Sequence, residues 1–145
     1  MATEYRVYVG RFERGGDLPP HWEICIRYSK ETGRSQGPVW HLKGSWHGWR
    51  VEIIENTFYS KPQAWTGCHF VGTIAANRIP AARQVVEETP IVANDPNWNC
   101  QNWVYTALRR LEARGYNIKA PVSFAKLTED MAEAKRLWDS GEDSD

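Results

Sequence analysis

The sequence predicts an α+β fold in which an antiparallel β-sheet, arranged as a meander, packs against helices. Apolar and polar residues alternate over about residues 4–75, and the apolar period becomes helical over about residues 80–138. The connections between the strand candidates are too short for helical crossovers, which favours antiparallel pairing. We expect a single domain over residues 1–145, in which residues 139–145 form a flexible acidic tail.

Five segments of the first half are rich in β-forming residues. They are "EYRVYVGRF", "HWEICIRY", "VWHL", "WRVEIIENTF" and "CHFVGTIA". Side chains alternate between the two faces of a strand, so the second segment divides into two sets. One face carries Trp22, Ile24, Ile26 and Tyr28, and the other carries His21, Glu23 and Cys25.

Three segments of the second half have helical periodicity. "PAARQVVEE" has a favoured first helical residue in Pro80 and should extend to about Glu88. A second helix should begin at about Cys100 and stop at Gly115, and "SFAKLTEDMAEAKRLWDS" predicts a third with Ser123 as its cap. The cap of the second helix is Asp95, Asn97 or Asn99, and its apolar stripe is Cys100, Trp103, Val104, Ala107, Leu108 and Leu111.

The composition narrows the classes of function. The 18 Lys and Arg balance the 18 Asp and Glu, so there is no overall basic field to attract nucleic acid or an anionic membrane. Cys25, Cys68 and Cys100 show no CxxC spacing, which indicates reduced thiols and neither a metal site nor a cofactor. No signal peptide and no apolar run of about 18 residues is visible. We therefore expect a cytoplasmic protein without a stable membrane span.

Cys100 occupies the position best suited to a nucleophile. The first turn of a helix favours a thiolate, because free backbone N–H groups and the helix dipole lie there. A neighbouring imidazole would complete the activation. His21 and His41 lie on or beside adjacent strand candidates, which a sheet can bring together. The alternative is that Cys100 is simply a small buried apolar residue.

The remaining thiols and imidazoles are weaker candidates. Cys25 lies in the middle of a strand, away from any helix terminus. Cys68 and His69 are adjacent in a strand and point to opposite faces, so they are poorly placed to act on one atom. His47 lies in the "SWHGW" turn. We expect none of these to form the catalytic site.

Three patches of the sequence together resemble a known superfamily. "HWEICIRY", "VWHL" and "NCQNWV" are similar to the motifs of the permuted papain-like, NlpC-type group that includes lecithin retinol acyltransferase and the H-rev-type phospholipid acyltransferases. Those proteins carry "HWAIYVG", then a V-H-L strand, then "NCEHFV" at the start of a helix. The resemblance covers residues 21–104 and depends on the order His, His, Cys within matching flanking residues.

The resemblance implies a circularly permuted papain-like fold and a cysteine-dependent acyl-transfer enzyme with a thioester intermediate. By this match, Cys100 is the nucleophile, His21 its general base and His41 the group that orients His21. The chain departs from the family at Gln101 and Asn102, where the family has Glu-His, and it ends in an acidic tail where the acyltransferases carry a C-terminal membrane helix. The substrate-binding candidates are Trp22, Trp40, Trp46, Trp49, Gln101 and Trp103.

Several alternatives stay open at this point. The candidate substrates are a small molecule, a peptide or another acyl donor, and the reaction is either hydrolysis or acyl transfer. An aminoacyl-tRNA donor would use the basic stripe of Arg109, Arg110 and Arg114. The eight tryptophans also fit a non-catalytic binding module, or a degenerate family member that recognises a ligand or peptide.

Overall fold

The structure of the chain, a computed structural model, describes residues 3–28, 36–58 and 64–142. In this part of the chain no helix is long and apolar enough to cross a membrane. The fold is α+β, as predicted. The strands are β1 (Glu4–Phe12), β2 (His21–Arg27), β3 (Gln36–Ser45), β4 (Gly48–Phe58), β5 (Trp65–Ala75) and β6 (Asn117–Ile118). The helices are a 3₁₀ turn (Ala76–Arg78), α1 (Ile79–Glu87), α2 (Cys100–Ala113) and α3 (Phe124–Asp139).

The six strands form one sheet in the order β4-β3-β2-β1-β5-β6. All neighbouring pairs are antiparallel, as predicted. The strands β1 to β4 form a meander, but β5 does not continue it, because β5 pairs with the free edge of β1 instead of β4. The short strand β6 then pairs with β5 through Gly72–Ile118 and Thr73–Asn117. The sequence analysis did not predict β6.

The helices begin where the local sequence predicts. α1 has Pro80 in its first turn, and the hydroxyl of Ser123 accepts a hydrogen bond from the backbone N–H of Lys126 at the start of α3. Past the end of α2, Gly115 has a φ of 86°, a left-handed conformation that glycine adopts without steric cost. α3 extends to Asp139, the first residue of the predicted tail, and residues 143–145 lie outside the described residues.

The main core lies between one face of the sheet and the helices. Trp22, Ile24 and Ile26 of β2 join it, as the alternation predicts, whereas Tyr28 beyond the strand end is exposed. The α2 residues in this core are Cys100, Trp103, Val104, Ala107, Leu108 and Leu111, which is the whole predicted stripe. A smaller cluster on the other face contains Tyr8, Cys25, Val39 and Trp65. The packing of α2 on the sheet holds Cys100 beside the start of β2.

Candidate active site

Cys100 is the first residue of α2, and the cap of this helix comes from its neighbours. The side chain of Asn99 accepts a hydrogen bond from the backbone N–H of Gln101 at 2.9 Å. The side-chain oxygen of Asn102 accepts one from the backbone N–H of Asn99, also at 2.9 Å. This reciprocal pair is a capping box that fixes where the helix starts. Cys100 therefore lies at the positive end of the helix dipole, where a thiolate is favoured.

His21 lies against the thiol of Cys100. The His21 Nδ1 is 3.3 Å from the Cys100 Sγ, although the two residues are 79 positions apart in the sequence. The backbone N–H of Trp22 also donates to this sulfur. Cys100 is 1% exposed and His21 is half-buried, so little water competes for these contacts. The pair has the contact that transfer of a proton from thiol to imidazole requires.

The other ring nitrogen of His21 faces a polar cluster. His21 Nε2 is 3.1 Å from His41 Nδ1 and 3.1 Å from Glu23 Oε1. His41 Nε2 is 2.7 Å from Glu52 Oε1. One assignment of protons satisfies these contacts. The imidazolium of His21 donates from Nδ1 to the Cys100 thiolate and from Nε2 to Glu23 and His41. His41 in turn donates from its own Nε2 to Glu52.

Both members of the pair have shifted pKa values. Burial by itself lowers the pKa of His21, but the hydrogen bonds and negative charges of Cys100 and Glu23 outweigh it and raise the pKa from 6.5 to about 9. Burial raises the pKa of the Cys100 thiol, but the hydrogen bond and charge of His21, the Trp22 N–H and the charge of Arg14 lower it overall. Both directions favour a thiolate–imidazolium pair.

A groove of about 450 Å³ opens beside the two histidines. It lies on the Nε2 side of His21, where Glu23 and Glu52 supply negative charge and Arg14 and Lys43 supply positive charge. The residues that line it are Arg14, His21, Glu23, His41, Leu42, Lys43, Gly44, Trp49 and Glu52. Cys100 is not among them.

The structure separates the predicted substrate-binding residues into two groups. Trp49 lines the groove, and Trp46 is 39% exposed in the turn between β3 and β4. By contrast, the side chains of three residues fill the main core with at most 2% of their surface exposed: Trp22, Trp40 and Trp103. In this structure the three indoles pack in the core and leave no surface for a ligand, so their predicted role in substrate binding has no support from the structure.

Gln101, another predicted substrate-binding residue, makes a structural contact. Its side-chain amide donates to the backbone carbonyl of Pro20 at 2.8 Å. Pro20 directly precedes His21, so this hydrogen bond ties the start of α2 to the start of β2. The two residues that depart from the resembled family, Gln101 and Asn102, thus hold the local structure that carries Cys100.

Sequence analysis missed the two carboxylates of the cluster, although the sequence contained a signal for each. Glu23 follows His21 by two residues and shares its face of β2. Glu52 lies directly opposite His41 in the β3–β4 hairpin. The two-residue turn between Ser45 and Gly48 fixes that register, so counting back from the turn would have paired Glu52 with His41.

The other two thiols lack this environment. Cys25 is buried in the smaller cluster, where burial raises the pKa of its thiol. Cys68 lies near the guanidinium of Arg27, at 4.0 Å from its Nη2. None of the three cysteines, all of which lie in the described part of the chain, forms a disulfide. Of Cys25 and Cys100, Cys100 is the one whose thiol pKa is lowered.

A family model matches residues 7–117, which is more than half of the chain. The chain belongs to DUF6540, a family of unknown function. The part matched by DUF6540 includes the candidate site and ends before α3. The site residues inside it are His21, Glu23, His41, Glu52 and Cys100. No curated protein and no solved structure matches this DUF6540 chain.

Proposed function

We propose that the chain is a cysteine-dependent acyl-transfer enzyme with a thioester intermediate, in which Cys100 is the nucleophile and His21 the acid–base group. The observation that carries the proposal is the 3.3 Å contact between Cys100 Sγ and His21 Nδ1 at a capped helix N-terminus. A buried structural thiol needs neither the cap nor the imidazole. His41 orients His21 through its Nδ1, and Glu52 orients His41 in turn.

The circularly permuted papain-like arrangement is part of the same proposal. The order His21, His41, Cys100 along the chain is that of the resembled acyltransferases, with the nucleophile after strands β1 to β5. An α+β fold in which strands carry both histidines and a helix start carries the cysteine is compatible with this resemblance. Residues 21–104 contain the complete arrangement.

In the first step, the thiolate of Cys100 attacks the carbonyl carbon of an ester or amide, and the C=O electron pair moves to the oxygen. The Cys100 backbone N–H is at the first helical position, where amides have no intrahelical acceptor, and can stabilise that oxyanion. When the tetrahedral intermediate collapses, the leaving group departs with the proton from His21 Nδ1. An acyl thioester on Cys100 and a neutral His21 remain.

In the second step, His21 Nδ1 takes a proton from water or from another acceptor nucleophile, which attacks the thioester carbonyl. Collapse of the second tetrahedral intermediate expels the Cys100 thiolate and restores the ion pair. Water gives hydrolysis, and an alcohol or amine gives acyl transfer. Because Cys100 is 1% exposed, entry of the carbonyl requires neighbouring segments to move. The segment before β2 is one such neighbour, and the hydrogen bond between Gln101 and Pro20 ties it to α2.

The test is to trap the acyl-enzyme. The chain is incubated with activated acyl donors of several classes, namely p-nitrophenyl esters of short and long acids, amino-acid esters, a lipid ester and an aminoacyl-tRNA. Intact-mass measurement and peptide mapping then locate the acyl group. We expect one acyl adduct on Cys100, absent in Cys100→Ser and retained in the matched control Cys68→Ser. Acylation of Cys68 instead, or no adduct with any donor, would contradict the proposal.

The aminoacyl-tRNA donor has its own discriminating condition. Its recruitment depends on phosphate contacts, whose strength falls steeply with salt. In the predicted basic stripe, Arg109 and Arg114 are exposed and Arg110 is half-buried. The guanidinium of Arg109 donates to the hydroxyl of Tyr105. Acylation from tRNA that is unchanged between low and moderate salt would contradict this donor class, while leaving the thioester chemistry intact.

A second candidate is a non-catalytic binding module centred on the groove. It is favoured by the position of Cys100, which is buried and does not line the groove, and by Trp49, whose indole N–H has no acceptor among the described residues. On this account Trp49→Ala abolishes ligand binding, whereas Cys100→Ser leaves it intact. The acyl-enzyme test separates the two candidates directly.

A further inference from the structure

Three side-chain atoms at the edge of the groove have the geometry of metal ligands. His21 Nε2 lies 3.1 Å from Glu23 Oε1 and 3.1 Å from His41 Nδ1, and the remaining pair, His41 Nδ1 and Glu23 Oε1, is 3.5 Å apart. A tetrahedral zinc ion with bonds of about 2.0–2.1 Å holds its ligand atoms about 3.3 Å from one another. The three atoms thus form the face of such a tetrahedron with little adjustment.

The far side of each imidazole is also held as in a metal site. Metal-bound histidines usually have their second ring nitrogen hydrogen-bonded to a carboxylate or another fixed group, which sets the tautomer and the ring orientation. His41 has Glu52 at 2.7 Å from its Nε2, and His21 has the Cys100 sulfur at 3.3 Å from its Nδ1. Both rings therefore present their remaining nitrogen to the same point.

The groove supplies the remaining requirements. Its opening onto the cluster provides an entry path and space for a water molecule as the fourth ligand. Two imidazoles and one carboxylate form a donor set that suits zinc and its neighbours in the first transition series. Glu23 and Glu52 contribute negative charge that offsets the charge of a divalent ion.

We infer that His21, Glu23 and His41 form a binding site for a divalent first-row transition-metal cation of the zinc type. On binding, the proton of His21 Nε2 leaves to solvent, His41 coordinates through its Nδ1, and Glu23 coordinates through Oε1. His21 keeps its Nδ1 proton on the Cys100 thiolate, and His41 keeps its Nε2 proton on Glu52. The sulfur thus stays outside the coordination shell.

The site has a consequence for catalysis, and this consequence alone rests on the proposed function. Loss of the Nδ1 proton from a metal-bound imidazole leaves an imidazolate, whereas its loss from the imidazolium leaves a neutral ring, so metal-bound His21 gives this proton to the leaving group much less readily. Zinc should therefore inhibit acyl transfer reversibly, and a chelator should restore it. Metal binding itself depends on the three ligands and not on any activity.

The binding test uses zinc chloride and the chelator-treated wild-type chain in isothermal titration calorimetry. We expect one saturable site, weakened by more than about 100-fold in His21→Gln, Glu23→Gln and His41→Gln, and by about 10- to 100-fold in Glu52→Gln. His69→Gln removes an imidazole elsewhere and should bind as the wild type does. Cys100→Ser keeps the three ligands but removes the thiolate from His21 Nδ1, so it should still bind saturably and be weakened no more than Glu52→Gln. Undiminished binding in His41→Gln, or the absence of saturable binding to the wild type, overturns the inference.

A second measurement needs no variant. X-ray absorption of the zinc-loaded wild type should show a shell of nitrogen and oxygen at about 2.0–2.1 Å, and a sulfur ligand at about 2.3 Å would overturn the inference. Inhibition is measured separately as the effect of zinc on acyl-enzyme formation. If zinc binds with the expected shell but no acyl donor reacts, the metal site stands and the proposed function fails. If acylation occurs and zinc does not bind, the reverse holds.

Discussion

Replacement of Cys100 by serine should lower the pKa of His21 by more than about one pH unit, or roughly 1.4 kcal/mol. Two groups raise this pKa, Cys100 and Glu23, and the contribution of Cys100 exceeds that of Glu23 both in hydrogen bonding and in charge. Together they lift the pKa from 6.5 to about 9 against the opposing effect of burial. Cys100 is therefore the larger of the two contributors. A serine hydroxyl stays neutral, so the pKa of His21 should return toward its ordinary value.

The assay is NMR of the imidazole ring nitrogens and their attached protons, titrated from acid to alkaline pH in the wild type and in Cys100→Ser. The variants His47→Gln and His69→Gln identify two of the four histidine signals. Cys68→Ser serves as the thiol control and should leave the His21 titration unchanged. A His21 that titrates near 6.5 in the wild type, or that stays near 9 without the thiol, would refute the thiolate–imidazolium pair.

Three further predictions test the hydrogen bond to His41, the cap of α2 and the assignment of tryptophans to the core or the surface. Glu52→Gln replaces a charge-assisted hydrogen bond by a weaker neutral one, so kcat for acyl transfer should fall about tenfold with KM little changed, whereas Glu55→Gln on the same strand should change neither. Asn99→Ala removes the cap of α2 and should lower the free energy of unfolding by about 1 kcal/mol in denaturant titrations; an unchanged midpoint would show that the cap is unimportant. Trp103→Ala should cost about 3–5 kcal/mol of that free energy, and Trp46→Ala less than about 0.5 kcal/mol; equal costs would contradict the assignment of one to the core and the other to the surface.

Local chemistry made much of the candidate site predictable. Asn99 and Gly115 are cap residues whose effect depends on their immediate neighbours, so the bounds of α2 followed from the sequence. The same spacing placed Cys100 at the helix start and on the apolar stripe. The contacts of His21 with Cys100 and His41 agree with the predicted constellation, because alternation along β2 and β3 limits where each imidazole can point.

Non-local pairing explains most of what the sequence did not predict. β5 pairs with β1 across more than 50 intervening residues, and alternation within a strand gives no indication of which strand will be its neighbour. β6 has only two residues, Asn117 and Ile118, which is too short for a periodic signal.

Tryptophan burial was ambiguous for a different reason. An indole serves equally well as a core filler and as a ligand platform, and its sequence neighbours are similar in both cases. Trp40 and Trp49 lie in adjacent strands of one hairpin, yet the first is buried in the main core and the second lines the groove. Only the three-dimensional arrangement distinguishes them.

The measurement that tests the central claim most directly is the rate of alkylation of each cysteine by substoichiometric iodoacetamide across a pH series, read by intact mass and peptide mapping. Because the pKa of Cys100 is lowered, its thiolate should persist below the pH at which an ordinary thiol ionises, and its alkylation should slow only as the pH falls through that lowered value. We expect Cys100 to react faster than Cys25 and Cys68 there, and His21→Ala to remove the difference. A folded protein in which Cys100 reacts no faster than the other two thiols would contradict the account.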